Sequence, residues 1–185
     1  MATGGYALLD NDTGKVLAAQ SAAGGSVTHL GSFTANDAMF PATTPAAASS
    51  RNGHAILAFD SAIDESVIFE GVMSKDYSAG SFTVDIFYTA NAITSGAVIW
   101  DVSFERMDTD SLDIDADSFA AVQSVTDTVA GTDGQISVAS ITFTQAQADS
   151  IAAGESFRMK VNRDANNASD TAAADAQLLR VLLRQ

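Results

Sequence analysis

The sequence contains no cysteine, two prolines, one tryptophan and two histidines in 185 residues. Without cysteine there is no disulfide framework, no thiolate metal site and no thiol nucleophile. No apolar run approaches the roughly 20 residues that a membrane-crossing helix needs. The first residues lack a basic segment followed by an apolar stretch, so a signal peptide is not expected. Positive charge is scarce too. Nine Lys and Arg against 23 Asp and Glu give a formal charge of −14, which repels phosphate backbones and argues against a nucleic-acid partner. Five of the nine cations (Arg158, Lys160, Arg163, Arg180 and Arg184) lie beyond residue 157 among only three acids. That end is locally positive and suits contact with an acidic partner or with another copy of the chain.

Familiar catalytic patterns are missing as well. There is no Gly-x-Ser-x-Gly elbow, Gly14-Lys15 is followed by valine rather than by Ser or Thr, and neither His29 nor His54 sits in a recognisable triad context. With 23 acids a carboxylate pair for sugar hydrolysis is conceivable, but no pair stands out. Trp100, Tyr77 and Tyr88 are the aromatics suited to stacking on sugars; Trp100 alternates with an inward set and reads as core, whereas Tyr77 reads as exposed. The densest charge cluster is Asp108, Asp110, Asp113, Asp115 and Asp117. Carboxylates at alternate positions are the ligands Ca²⁺ prefers, which makes Asp113, Asp115 and Asp117 the candidate metal ligands. The helix-loop-helix calcium pattern does not match, since its glycine and glutamate positions fall on Ser118 and Ser124. A solvated acidic loop is the alternative, and no other cofactor is implied.

What the chain does have is period-two alternation. In residues 66–107 three segments, SVIFEGVMS, GSFTVDIFYTA and GAVIWDVSFERM, read as successive strands of a meander. Phe82, Val84, Ile86 and Tyr88 share one face of the second, and Trp100, Val102 and Phe104 share one face of the third. Further strands are expected at HAILAFD, over 119–130 and 135–144 as a hairpin around Gly131-Thr132-Asp133-Gly134, at SFRMKVNRDA, and at AQLLRVLLRQ. In the last strand Leu179, Val181 and Leu183 are expected on one face and Leu178 and Leu182 on the other, so it is central in a sheet or covered by a partner. Thr144 and Gly154 bracket a short helix over QAQADSIAA. The fold class is therefore all-β, an antiparallel jelly-roll-like sandwich of about eight strands with one short helix over 52–185. Residues 1–51 are rich in Ala, Gly, Ser and Thr and hold both prolines; they read as an extended N-terminal arm or attachment segment, or as a disordered leader. Within them, a short strand is expected at 26–33 and MFPATTP as an extended segment on the surface.

The runs RNGHAILAFD, ESVIFEGVMSKDYSAGSFTVDIFYTANAITSGAVIWDVSFERM, DADSFAAVQSV, ADSIAAGESFRMKVNRDA and AQLLRVLLR resemble a group of tailed-bacteriophage virion structural proteins. That resemblance implies a jelly-roll-like domain placed on a virion, as a capsid decoration (cement) protein on the capsid exterior or as a tail- or fibre-associated protein. It also implies a homotrimer whose partners are other copies and the major capsid protein or another virion protein, with no enzymatic activity. The alternative function is a tail-associated receptor- or carbohydrate-binding module.

Overall fold

The structure is a computed structural model and describes residues 7–9, 16–19, 27–108, 112–116 and 118–185. Its strands are β1 (Ala7–Leu9), β2 (Val16–Ala19), β3 (His29–Thr34), β4 (Ala47–Arg51), β5 (His54–Phe59) and β6 (Glu65–Val72). They continue as β7 (Phe82–Ala90), β8 (Ala97–Arg106), β9 (Gln123–Thr128), β10 (Ser137–Phe143), β11 (Ser156–Arg163) and β12 (Ala176–Arg184). β1 and β2 form their own antiparallel pair. The other ten build two antiparallel sheets: six strands in the order β10-β7-β12-β5-β4 with β3 also on β12, and four in the order β6-β11-β8-β9.

The expected all-β sandwich is therefore present, with ten strands rather than eight. The two additional strands, β3 and β4, come from residues before Asn52. β4 and β5 form a hairpin around Asn52-Gly53, both at positive φ (48° and 81°), the conformation that Asn-Gly adopts in two-residue hairpin turns. Residues 1–6, 10–15 and 20–26 of the expected arm lie outside the described residues.

The three strands of residues 66–107 are where alternation placed them, but they do not form a meander. β6 and β8 flank β11 in the four-stranded sheet, whereas β7 lies in the other sheet between β10 and β12. The connections 73–81 and 91–96 are longer than a tight hairpin turn and cross between layers roughly 10 Å apart. For the same reason the turn at 131–134 does not close a hairpin: β9 and β10 belong to different sheets. Asp133 in that turn takes hydrogen bonds from Arg51 (2.8 Å) and from the Ala92 N–H (3.0 Å), which fixes the turn to the six-stranded sheet.

The expected helix over 145–153 is a succession of turns. Thr144 and Gln147 do make the reciprocal side-chain and backbone bonds of a helix start. Asp149 and Ser150 then adopt left-handed φ of 55° and 58°, which ends the turn after one revolution. The only helical residues described are a 3₁₀ turn at Ala35–Asp37. In β12 a bulge between Leu178 and Arg180 shifts the register against β7. One inserted residue inverts the parity, so Leu178, Val181 and Leu183 are buried inside while Leu179 and Leu182 are half-buried on the outer face. β12 is central, with β7 on one side and β5 and β3 sharing the other.

The core is a run of edge-on and tilted rings between the sheets. Phe59 meets Trp100 at 5.0 Å between centroids, Trp100 meets Tyr88 at 5.4 Å, Phe82 meets Phe104 at 5.5 Å and Phe33 meets Phe69 at 5.5 Å. Such pairs add about 0.5–1.5 kcal/mol each beyond their burial. Gly71 on β6 leaves room for Phe33, since a Cβ there would sit 2.8 Å from the ring. Tyr77, expected to be exposed, is buried against Phe82 and donates its hydroxyl to the Gly80 carbonyl at 2.7 Å.

Two charged groups brace this body. Arg163 points inward from β11 and is fully buried. Its Nε and Nη2 reach the two Asp170 oxygens at 3.0 and 2.8 Å, and its remaining hydrogens reach the carbonyls of Phe59 (3.2 Å), Ala172 (2.7 Å) and Ala174 (2.8 Å). On the outer face of the six-stranded sheet Asp85 accepts from Arg184 (2.5 Å) and Ser140 (2.6 Å), joining β12, β7 and β10. Burial alone would push the Asp85 carboxyl up, but the hydrogen bonds from Arg184 and Ser140 outweigh it and hold it below the usual aspartate value.

Arg163→Met strands the buried Asp170 carboxylate, and a loss of about 3–5 kcal/mol is expected in denaturant unfolding; a change under 1 kcal/mol would contradict the bracing role. Because the folded pKa of Asp85 is depressed, its contribution is complete above the unfolded value near ~4 and disappears as pH falls through the folded value. The stability difference between wild type and Asp85→Asn should therefore be greatest near neutrality and shrink in acid, as read from melts across pH.

Candidate functional site

The outward positions of β8 and β11 alternate with the core residues, and their register puts Asn162 opposite Asp101 and Lys160 opposite Ser103. One step along β8, Glu105 also faces outward, yet it is fully buried. It is covered by the segment 118–122, which continues from β9 along β8 and bonds to it through the Ala120 N–H and the Phe104 carbonyl (2.8 Å). Glu105 accepts from the Ser118 N–H at 2.7 Å, the Ser118 hydroxyl at 2.9 Å and Arg158 Nε at 2.5 Å. These bonds hold Phe119 over the sheet, its ring 5.0 Å from the Arg158 guanidinium carbon and 5.7 Å from Lys160 Nζ.

The result is a hollow of about 340 Å³ lined by Asp101, Ser103, Phe119, Ala120, Val122, Lys160 and Asn162. Among the described residues, the Ser103, Lys160 and Asn162 side chains form no hydrogen bond or ion pair; Ser103 is buried, and the Lys160 ammonium lies over the Phe119 ring. Asp101 accepts from the Ser124 hydroxyl at 2.5 Å. Burial pushes its carboxyl up, the Ser124 bond pulls it down, and the charges of Asp164 and Asp64 push it up again; the net effect is a raised pKa. A carboxylate, an amide, an ammonium, a hydroxyl and a ring around one small volume can bind a polar, non-planar molecule with an apolar face.

A second, larger hollow of about 490 Å³ lies beyond Ser118, lined by Arg106, Asp108, Leu112, Asp113, Ala116, Ser118, Asp149 and Ser150. Its described lining includes no aromatic ring, and its charges are partly engaged: Arg106 bonds Asp108 at 2.5 Å, and Asp149 takes the Arg106 N–H at 2.7 Å. Of the candidate metal ligands, Asp113 borders this hollow and accepts the Asp115 N–H at 3.0 Å, Asp115 is exposed, and Asp117 lies outside the described residues. Among the described residues no three carboxylate or imidazole groups converge as a metal-binding set. A third hollow, mostly apolar, lies over Ile56 and Leu179 on the six-stranded sheet.

Alternation in the sequence put Asp101, Ser103, Lys160 and Asn162 on outer faces, but not beside one another. Their proximity depends on the β8-β11 pairing, which joins segments about 60 residues apart. Phe119 gave no signal, because it looks like the first residue of a strand.

No protein-family model matches the chain, and no curated protein matches it. Solved structures do. A family 35 carbohydrate binding module from an environmental isolate superposes with a TM-score of 0.52 over 83% of this chain and 92% of that one, at 13% identity. The CBM35 from Cellvibrio japonicus Abf62 gives 0.51 over 82% and 91%, at 12% identity. The likeness is one of fold. It supports the jelly-roll-like reading of the sandwich, and none of the reported neighbours is a virion protein.

Because the folded pKa of Asp101 is raised, its ionised form destabilises the fold at neutral pH, and this cost disappears as pH falls below the folded value. Asp101→Asn should therefore melt higher than wild type near pH 7, with the gap closing in acid. An equal or lower melting temperature at pH 7 would show that the carboxylate is not held against its preference.

Proposed function

We propose that this chain is a non-catalytic carbohydrate-binding domain that holds a sugar in the hollow on the outer face of the four-stranded sheet. The observation that carries this is the Phe119 ring fixed beside Ser103, Lys160 and Asn162, whose polar groups form no hydrogen bond or ion pair among the described residues. A pyranose has an apolar face of C–H bonds and a rim of hydroxyls. The ring suits the first and the side chains suit the second, with the Asp101 carboxyl as a further acceptor for the hydroxyls. The two sandwiches with comparable folds are carbohydrate-binding modules, which favours glycan binding without bond cleavage. The capsid-decoration role implied by the sequence resemblance, with its capsid partner and virion location, has no counterpart among these structures. Glycan binding therefore replaces it as the leading reading.

A glycan array followed by calorimetry on the best ligand tests the proposal. Phe119→Ala is expected to weaken binding about 5- to 30-fold, equivalent to roughly 1–2 kcal/mol. Asn162→Ala should weaken it less, and both variants should melt near the wild-type temperature. The reading fails if wild type binds no glycan, or if it binds one with an affinity that neither substitution changes.

A further inference from the structure

Of the four-stranded sheet's margins, that of β6 is covered: Met39 exchanges backbone bonds with Ile68 (2.8 and 2.9 Å), while Thr44 and Ala46 bond Ser66 (3.0 and 3.1 Å). Among the described residues β4 receives no such cover: it pairs with β5 alone, and Ala47, Ala48, Ser49 and Ser50 are all exposed, whichever face they point to. An uncovered edge is normally protected by charge, proline or a bulge within the strand. Here the four exposed residues are Ala and Ser, and the register from Ala47↔Ala58 to Arg51↔His54 runs without a shift. The ends are fixed as well, by Pro45 against Ser66 and by Arg51 bonded to Asp133 and Gln177.

The Asn52-Gly53 turn determines which backbone groups are free. In a two-residue hairpin the flanking residues, Arg51 and His54, exchange both hydrogen bonds, and the pattern repeats every second residue. Ser49 therefore bonds inward to Ile56, and the N–H and C=O groups of Ala48 and Ser50 point to the open edge.

We propose that this edge is a self-association surface, on which the β4 strands of two copies pair antiparallel about a two-fold axis through Ser49. In that register Ala48 of each copy exchanges both hydrogen bonds with Ser50 of the other, which uses the groups left free. Ser49 faces Ser49, and Arg51 faces Ala47. No like charges meet, although the chain carries −14 overall; this favours a second copy over a strand of different charge. The side chains at the join are small enough for the two hairpins to lie flush, and the two six-stranded sheets become continuous. The contact is independent of the sugar hollow, which lies on the other sheet, and its two-fold symmetry differs from the trimer implied by the sequence resemblance.

Light scattering on the full chain from micromolar to millimolar concentration tests this. Wild type is expected to approach twice 19.1 kDa as concentration rises. Ala48→Pro removes an outward donor without touching a β4-β5 bond, so it should remain monomeric with an unchanged melt. Ser49→Glu and Ser49→Lys should each be monomeric, and mixing them should restore the dimer. A wild type that stays monomeric at millimolar concentration, that forms a trimer, or whose dimer survives Ala48→Pro overturns the proposal, as does a Glu/Lys mixture that stays monomeric.

Discussion

A guanidinium with no access to water must find an acceptor for every hydrogen, and in this protein those acceptors come from parts of the chain that are otherwise unconnected. Arg163 ends β11 in the four-stranded sheet. It bonds the Phe59 carbonyl at the end of β5 in the opposite sheet, Asp170 in the following loop, and two carbonyls, Ala172 and Ala174, just before β12. Asp170 in turn accepts the Ile99 N–H of β8 at 3.1 Å. The group thus sets the spacing of the layers at one end and the point where the loop delivers the chain to the centre of the larger sheet. Its value lies in geometry more than in net energy, since a buried pair loses much of its Coulomb attraction to the cost of desolvation.

The sugar hollow depends on that constraint. Arg163 stands opposite Trp100 in the β8-β11 ladder, and the next pair is Asn162 with Asp101. The buried arginine and the fully buried tryptophan therefore anchor the register that brings an amide and a carboxylate together on the other face. At the far end of the same two strands, buried Glu105 bonds both Arg158 and Ser118. One ionic group lies inside the sandwich and one on its outside, and between them they fix the floor and the wall of the hollow. Burial and the nearby Asp164 and Asp64 charges push the Asp101 carboxyl up and the Ser124 bond pulls it down, so the site holds it somewhat against the preference of a carboxylate for water.

Much of the fold was legible because alternation is a local signal. Phe82, Val84, Ile86 and Tyr88 are buried as their spacing required, and Phe157, Met159 and Val161 likewise. What alternation cannot carry is partnership. β6, β7 and β8 look like a meander because each is a good strand, and nothing in their residues says that the middle one belongs to the other layer. The β12 bulge defeated a strict period of two, exchanging Leu178 and Leu179 between faces. One further cue lies in the sequence around Asn52. Asn52-Gly53 between AASSR and HAILAF is the strongest short hairpin cue, and it would have moved the start of the sandwich before Asn52. Thr144 and Gln147 did start a helical turn, but Asp149 and Ser150 entered the left-handed region, where glycine is the usual residue. In the site, Lys160 and Asn162 were readable as outward-facing, whereas Phe119 acquires its role only through Glu105 beneath it.

The position of β12 bears on how the molecule is made. Its residues 176–184 provide the middle of the larger sheet, against β7, β5 and β3, which are synthesised long before it. Until that strand emerges from the ribosome, the described residues offer β7 only β10 as a neighbour and offer β3 no strand to pair with. A nascent chain of this design completes its larger sheet late, through contacts distant in sequence. Slow closure and sensitivity to premature termination follow from the place of that strand, whatever the domain binds.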